Sequence, residues 1–199
     1  MPDVDHDGLY QVAEAQAGYF TAQQALAASM DRSTLSHHAR PGGRYLRLGR
    51  GLYRLRHFPP SPHEHVVAAW LPLRDAGAVV SHESALELHG LSDVIPDTIH
   101  LSLPRSGRGQ RPRPGVRLHT LNAPPAKREI CEVAGLPVTR PERTILDAIA
   151  TGTQPEQIQM AIRQALERGL TTPRRLRTAA TRGSARARKL IERTLEGPE

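Results

Sequence analysis
The chain has 199 residues, room for one large domain or two small ones, and its 38% hydrophobic and 24% charged content excludes a disordered chain. Lys and Arg total 27 against 20 Asp and Glu, a net charge of +7 that points to a polyanionic partner, nucleic acid first. A single cysteine, Cys131, excludes an intramolecular disulfide and a zinc site of several thiolates; no stretch approaches the roughly 20 apolar residues of a membrane span, and a soluble cytoplasmic protein is expected.

Lys127 and Lys189 are the only lysines, and so rich an arginine content by itself can reflect a GC-rich genome. The distribution is more telling. Residues 1–20 carry −4, 21–60 carry +6, 61–99 carry −5, 100–128 carry +7 and 129–199 carry +3. Solvated surfaces usually mix signs, so the two basic blocks read as electrostatic footprints.

From Asp7, Leu9, Val12, Ala13 and Ala17 recur at helical spacing behind an acidic first turn, which predicts a first helix over DGLYQVAEAQAGYF. Thr21 is placed to cap a second helix with Ala22, Ala25, Leu26 and Met30 as its apolar stripe. Asp31 is placed to cap a third, RSTLSHHAR, that stops at Pro41-Gly42-Gly43. Two short helices joined at Ser29 to Asp31 predict a helix-turn-helix. Strands at Tyr45 to Leu48 and Leu52 to Arg56, turned at Gly49-Arg50-Gly51, add a basic hairpin, which makes the unit a winged helix. In that arrangement Leu35, Leu46, Leu48, Leu52 and Leu55 cover the second helix. Ser33, Thr34, Ser36, His37 and Arg40 then face a major groove, and Arg44, Arg47 and Arg50 lie over phosphates.

His57 to Pro62 is a proline-rich linker, which places a domain boundary between residues 57 and 58. Beyond it the periodicity predicts a helix over HEHVVAAWLPLRD, a helix capped by Ser81 and ended at Gly90, strands DTIHLSLP and GVRLHTL, and a hairpin of REICEV with GLPVT. Helices follow at Pro141 to Ala150, Pro155 to Arg168, Pro173 to Ala180 and Ala185 to Leu195. The second domain is α+β with a helical tail, in a chain that is α+β as a whole. The loop RSGRGQRPRPG, with Arg105 and Arg108, either orders on phosphates as a second DNA contact or stays a solvated hairpin loop. The arginines of the last helices read first as a solvated face.

No phosphate-binding loop, GxSxG elbow, HExxH or CxxC occurs, so neither an enzyme nor a cofactor is expected. His63 and His65 fall on different helix faces, and His37 and His38 have no partner at ligand spacing. His82 and His89 share a face with Glu83 and Glu87 on a helix whose apolar packing explains it as well, so no metal site is expected.

The strings Gly18-Tyr19-Phe20-Thr21, Gly49-Arg50-Gly51-Leu52-Tyr53, Ser81-His82-Glu83-Ser84-Ala85 and Gly135-Leu136-Pro137-Val138-Thr139, with Pro141 and Thr144 following, resemble the AbiEi family of bacterial antitoxins over roughly residues 18–180. The resemblance implies an N-terminal winged helix that binds inverted repeats in its own promoter and represses the operon. It also implies a C-terminal domain that opposes a nucleotidyltransferase toxin, with or without direct contact. The family's DNA-reading element maps onto Asp31 to Arg40 and its wing onto Arg44 to Arg54, which adds Arg54 to the wing set. The alternative is an orphan regulator of the same fold with no toxin partner.

Overall fold
The computed structural model describes residues 4–107, 109–110 and 113–197, and the chain divides into two compact units, Met1–Asp75 and Ala76–Glu199. In the first unit α1 (His6–Glu14) is capped by Asp5, whose Oδ1 accepts from the Gly8 amide at 2.8 Å. The helix ends well short of the expected span. Ala17 and Gly18 take left-handed φ values of 54° and 83°, which turn the chain into a short strand, β1 (Tyr19–Thr21). The helical spacing of Leu9, Val12, Ala13 and Ala17 gives no sign of this strand, because β1 exists only by pairing with a segment more than thirty residues away.

Thr21 caps α2 (Ala22–Ala27) in a reciprocal box: its Oγ1 accepts from Gln24 N at 3.2 Å, while Gln24 Oε1 accepts from Thr21 N at 2.8 Å. Ser29 (φ 61°) makes the turn to α3 (Arg32–His38), where Asp31 Oδ1 accepts from Thr34 N at 2.7 Å. The hairpin of β2 (Tyr45–Gly49) and β3 (Leu52–Leu55) follows, and β3 lies between β1 and β2 in an antiparallel three-stranded sheet. Leu9, Ala13, Phe20, Met30, Leu35, Tyr45 and Tyr53 form one core. Phe20 is its centre, stacked 5.6 Å from Tyr53 and edge-on 4.9 Å from Tyr45. Leu48, expected to cover the second helix, is instead 50% exposed. The ladder register shifts between Arg47 and Gly49, so strict inward alternation is lost at this end of β2.

The compact first unit extends past the expected boundary at residue 57. The segment after β3 folds back on it: Phe58 lies against Gly18, and Glu64, at the start of α4 (Glu64–Trp70), pairs with Arg54. Prolines 59, 60 and 62 stiffen this stretch without separating two bodies there. The helix expected to run through Asp75 gives way at Leu71 to a 3-10 turn, Leu71–Ala76, in which Pro72 lacks the amide that an α-helical bond needs.

The second unit is a five-stranded sheet with helices. β4 (Val79–Val80), β5 (Ile99–Pro104), β6 (Val116–Leu121), β7 (Ile130–Val133) and β8 (Leu136–Thr139) stand in the order β6-β5-β4-β8-β7. β7 and β8 form the expected antiparallel hairpin, whereas β5 and β6 pair in parallel. The connection between two parallel neighbours is a crossover and not a hairpin. The two-residue β4 carries no sequence signature, being visible only through its neighbours β5 and β8.

Around the sheet run α5 (His82–His89), α6 (Pro141–Thr151), α7 (Pro155–Glu167), α8 (Pro173–Ala180) and α9 (Ala185–Glu196). Proline opens α6, α7 and α8, where its missing amide costs nothing. Leu86, Ile145, Ile158, Ile162, Leu176 and Ile191 are fully buried in their shared core, each contributing about 1.5–3 kcal/mol. That burial holds α8 and α9, whose other positions are mostly arginine and polar.

Candidate nucleic-acid interface
In the first unit Leu35 anchors α3 in the core and leaves Ser33, Ser36, His37 and Arg40 exposed, with Thr34 half-buried. Ser33 is already engaged: its hydroxyl donates to Asp31 Oδ1 at 2.8 Å. That bond and the Thr34 amide hold the Asp31 carboxyl below its ordinary range. His38 turns back toward Tyr45, with ring centres 5.6 Å apart, and burial followed by the neighbouring His6 and Arg44 lowers its pKa. Of the two adjacent histidines only His37 faces outward.

The hairpin separates its arginines into two sets. Arg44, Arg47 and Arg50 are exposed, as is Arg32 at the start of α3, a residue the sequence reading passed over. Arg54, assigned to the wing by the resemblance, instead points inward. Its side chain is 12% exposed, and Nη2 donates to Glu64 Oε2 at 2.9 Å and to the Pro59 carbonyl at 3.2 Å. The guanidinium also lies 5.5 Å from the Tyr19 ring centre. Leaving this pocket for a phosphate would strand Glu64, so Arg54 is a packing residue. Arg56 is likewise structural, donating to the carbonyls of Gly43 and Arg40 and so tying the end of α3 to the hairpin. From Arg32 to Arg56 the sequence contains no acid.

In the second unit Arg105 is exposed on a 3-10 turn and donates to Asn122 Oδ1 at 2.9 Å. Arg108 lies outside the described residues. Three of the tail arginines are committed to ion pairs, Arg175 with Glu142 at 2.9 Å, Arg177 with Glu192 at 3.0 Å and Arg182 with Glu129 at 3.0 Å. Ser81 precedes α5 as expected but does not cap it, its hydroxyl bonding His82 Nδ1 and accepting from Ser102.

The histidines also fall differently from expectation. His89 gives Nε2 to the Thr139 carbonyl at 2.8 Å, and its pKa is lowered chiefly by burial. His82 does not face His89 but meets His100 and His119 from β5 and β6, a grouping that spacing along one helix cannot reveal. Burial, then the proximity of His119 and His100, pushes the His82 imidazole down to about 2. Burial first and His100 next take His119 down to about 4. Among the described residues no helix is long and apolar enough to cross a membrane.

The fold is similar to that of a solved structure. The crystal structure of the RV2827C protein from Mycobacterium tuberculosis resembles this chain with a TM-score of 0.56 at 18% identity, over 94% of this chain and 74% of that one. At that identity the likeness concerns the fold alone, a mixed α+β chain. The AbiEi antitoxin C-terminal domain matches residues 76–195, nearly the whole second unit and more than half of the sequence. The chain belongs to the AbiEi antitoxin family. No curated protein matches it.

Proposed function
We propose that the first unit is a winged helix-turn-helix that binds double-stranded DNA at inverted repeats in its own promoter and represses the operon. In the same reading, the second unit counteracts a nucleotidyltransferase toxin in the cytoplasm, functionally and with no requirement for a direct complex. The observation that carries the DNA half is the outward set Arg40, Arg44, Arg47 and Arg50, running from just after α3 along the hairpin, with a short polar row on α3 beside it. Short hydroxyls and an imidazole suit base edges, whereas guanidinium groups on a hairpin suit phosphates. Ser36 and His37 are the base-reading candidates. Ser33 and Thr34 support the start of the helix, and Ser33 reads a base only by giving up its bond to Asp31. Arg105 and Arg108 would add a second, sequence-independent contact.

The toxin half rests on the match of residues 76–195 to an antitoxin domain. Co-expression with the product of the adjacent gene tests it, with growth as the readout. Rescue of growth by the second unit's presence supports an antitoxin, and growth arrest that the chain does not relieve contradicts it. A chain that binds its promoter but has no toxic neighbour is the orphan regulator. For the DNA half, Ser36→Ala and His37→Ala should change which sites are preferred, while Arg44→Ala and Arg47→Ala should weaken binding to all duplexes alike. Identical behaviour of the two sets would overturn the groove assignment.

A further inference from the structure
We propose that His82, His100 and His119 form a binding site for a zinc-class divalent cation at the start of α5 and the β6 edge of the sheet. One ring nitrogen from each residue lies within 4.8 Å of the others. His82 and His119 are stacked with ring centres 3.7 Å apart, and His100 stands 5.1 Å from His119 and 5.6 Å from His82.

The fold brings them together from three separate elements. In the parallel ladder Ser102 is paired with His119 and His100 with Arg117, so all four side chains share one face of the sheet. The start of α5 is fastened to that face by the Ser102 hydroxyl, which donates to Ser81 Oγ at 2.8 Å. His82 sits at φ 56°, a left-handed conformation uncommon for a residue other than glycine.

The polar accounting points to a missing partner. His100 Nδ1 and His119 Nε2 are buried and have no hydrogen-bond partner among the described residues. Buried polar atoms rarely stay unpaired, and three imidazoles converge here instead of satisfying separate backbone groups as His89 does. The Ser81 hydroxyl offers a supporting contact behind one ring. Ser81 Oγ accepts from Ser102 and lies 2.8 Å from His82 Nδ1. A bound cation on Nε2 would select the tautomer in which Nδ1–H donates to the Ser81 hydroxyl, in the manner of histidine ligands held by outer hydrogen bonds.

Three nitrogen donors with no carboxylate exclude calcium and magnesium, which require oxygen, and suit zinc. Zinc–nitrogen bonds of about 2.0–2.1 Å set ligand nitrogens roughly 3.3 Å apart. The contraction needed from the present spacing is within the reach of side-chain rotation. The fourth position falls to water. Arg117 and Arg143 oppose a cation here and Glu83 favours it, all three being near enough to influence these rings. A bound ion would clamp edge strand β6 to α5.

The test uses the untagged full chain, stripped with a chelator and titrated with zinc against a chromophoric competitor. The expected result is one zinc per chain, a raised melting temperature, no response to magnesium, and a cobalt spectrum without the thiolate charge-transfer band that Cys131 would add. His119→Gln, at the least buried of the three, should weaken zinc binding more than about 100-fold, and Ser81→Ala about 10- to 100-fold. The double variant His63→Gln/His65→Gln should bind as the parent does. The absence of stoichiometric zinc binding by the parent chain overturns the proposal whatever the variants do. So does full binding by His119→Gln.

Discussion

Replacing Arg54 by methionine separates folding from DNA binding on a single hairpin. The guanidinium holds Glu64 at 2.9 Å and the Pro59 carbonyl at 3.2 Å on a side chain only 12% exposed. Removing one member of a fully buried ion pair costs about 3–5 kcal/mol, and disrupting an exposed pair about 0–1 kcal/mol. Glu64 is 31% exposed and so lies between these limits. Methionine keeps much of the packing of the arginine stem, which leaves an expected loss of about 1–3 kcal/mol.

The first unit is 75 residues long, and for a unit of that size each kcal/mol lowers the melting temperature by about 4–8 °C. A calorimetric scan should therefore show its transition falling by about 4 to 24 °C. The double variant Arg54→Met/Glu64→Gln should lose less than the sum of the single changes, because each single change leaves one charge without its partner and the double leaves none. On DNA, measured well below the melting transition, Arg54→Met should leave the slope of log affinity against log salt unchanged. Arg47→Ala should flatten that slope by about 0.9, with a stability change within about 0.5 kcal/mol. Equal flattening by both variants, or an unaltered melting temperature for Arg54→Met, would refute the division into packing and phosphate-facing arginines.

Gly18→Ala places a methyl group 2.5 Å from the Phe58 ring at φ 83°, so it should destabilise the first unit by about 2–4 kcal/mol in thermal unfolding. An unchanged melting temperature would mean that the α1 to β1 turn is not as described. Asp147 pairs Oδ1 with Arg143 at 2.8 Å but leaves Oδ2 buried without a partner, and burial pushes its carboxyl up to about 6. A carboxyl that binds its proton more tightly when folded costs stability once ionised. The penalty is absent below about pH 4 and complete above about pH 6. Asp147→Asn should accordingly stabilise the second unit by about 1–3 kcal/mol at pH 8 and by almost nothing near pH 4, as read from urea unfolding. A gain of equal size at both pH values would show that the charge is not the cause.

Much of the local structure is legible in the residues themselves because its determinants are local. Thr21 with Gln24 and Asp31 with Thr34 are cap pairs three positions apart, and Pro141, Pro155 and Pro173 mark helix starts that the structure reproduces. What could not be read depends on partners distant in sequence. β1 and β4 exist through ladders, and the parallel pairing of β5 with β6 reverses the hairpin that a short basic loop suggests. The same limit governs the site. Every wing arginine looks alike in the sequence, and only Glu64, ten residues on, reveals that Arg54 faces inward. His82, His100 and His119 are 18 and 19 positions apart, with no motif spacing to join them, and the sheet register alone brings them together.

DNA recognition is the role proposed for the surface formed by α3 and the hairpin. The deciding measurement is the affinity of the full chain for the DNA upstream of its own gene against a random duplex of equal length, across a salt series. Specific binding should be tighter by about 10³-fold or more, with a log–log salt slope of about −0.9 for each phosphate neutralised. Equal affinity for both duplexes, or affinity indifferent to salt, would contradict the assignment of Arg40, Arg44, Arg47 and Arg50 to DNA.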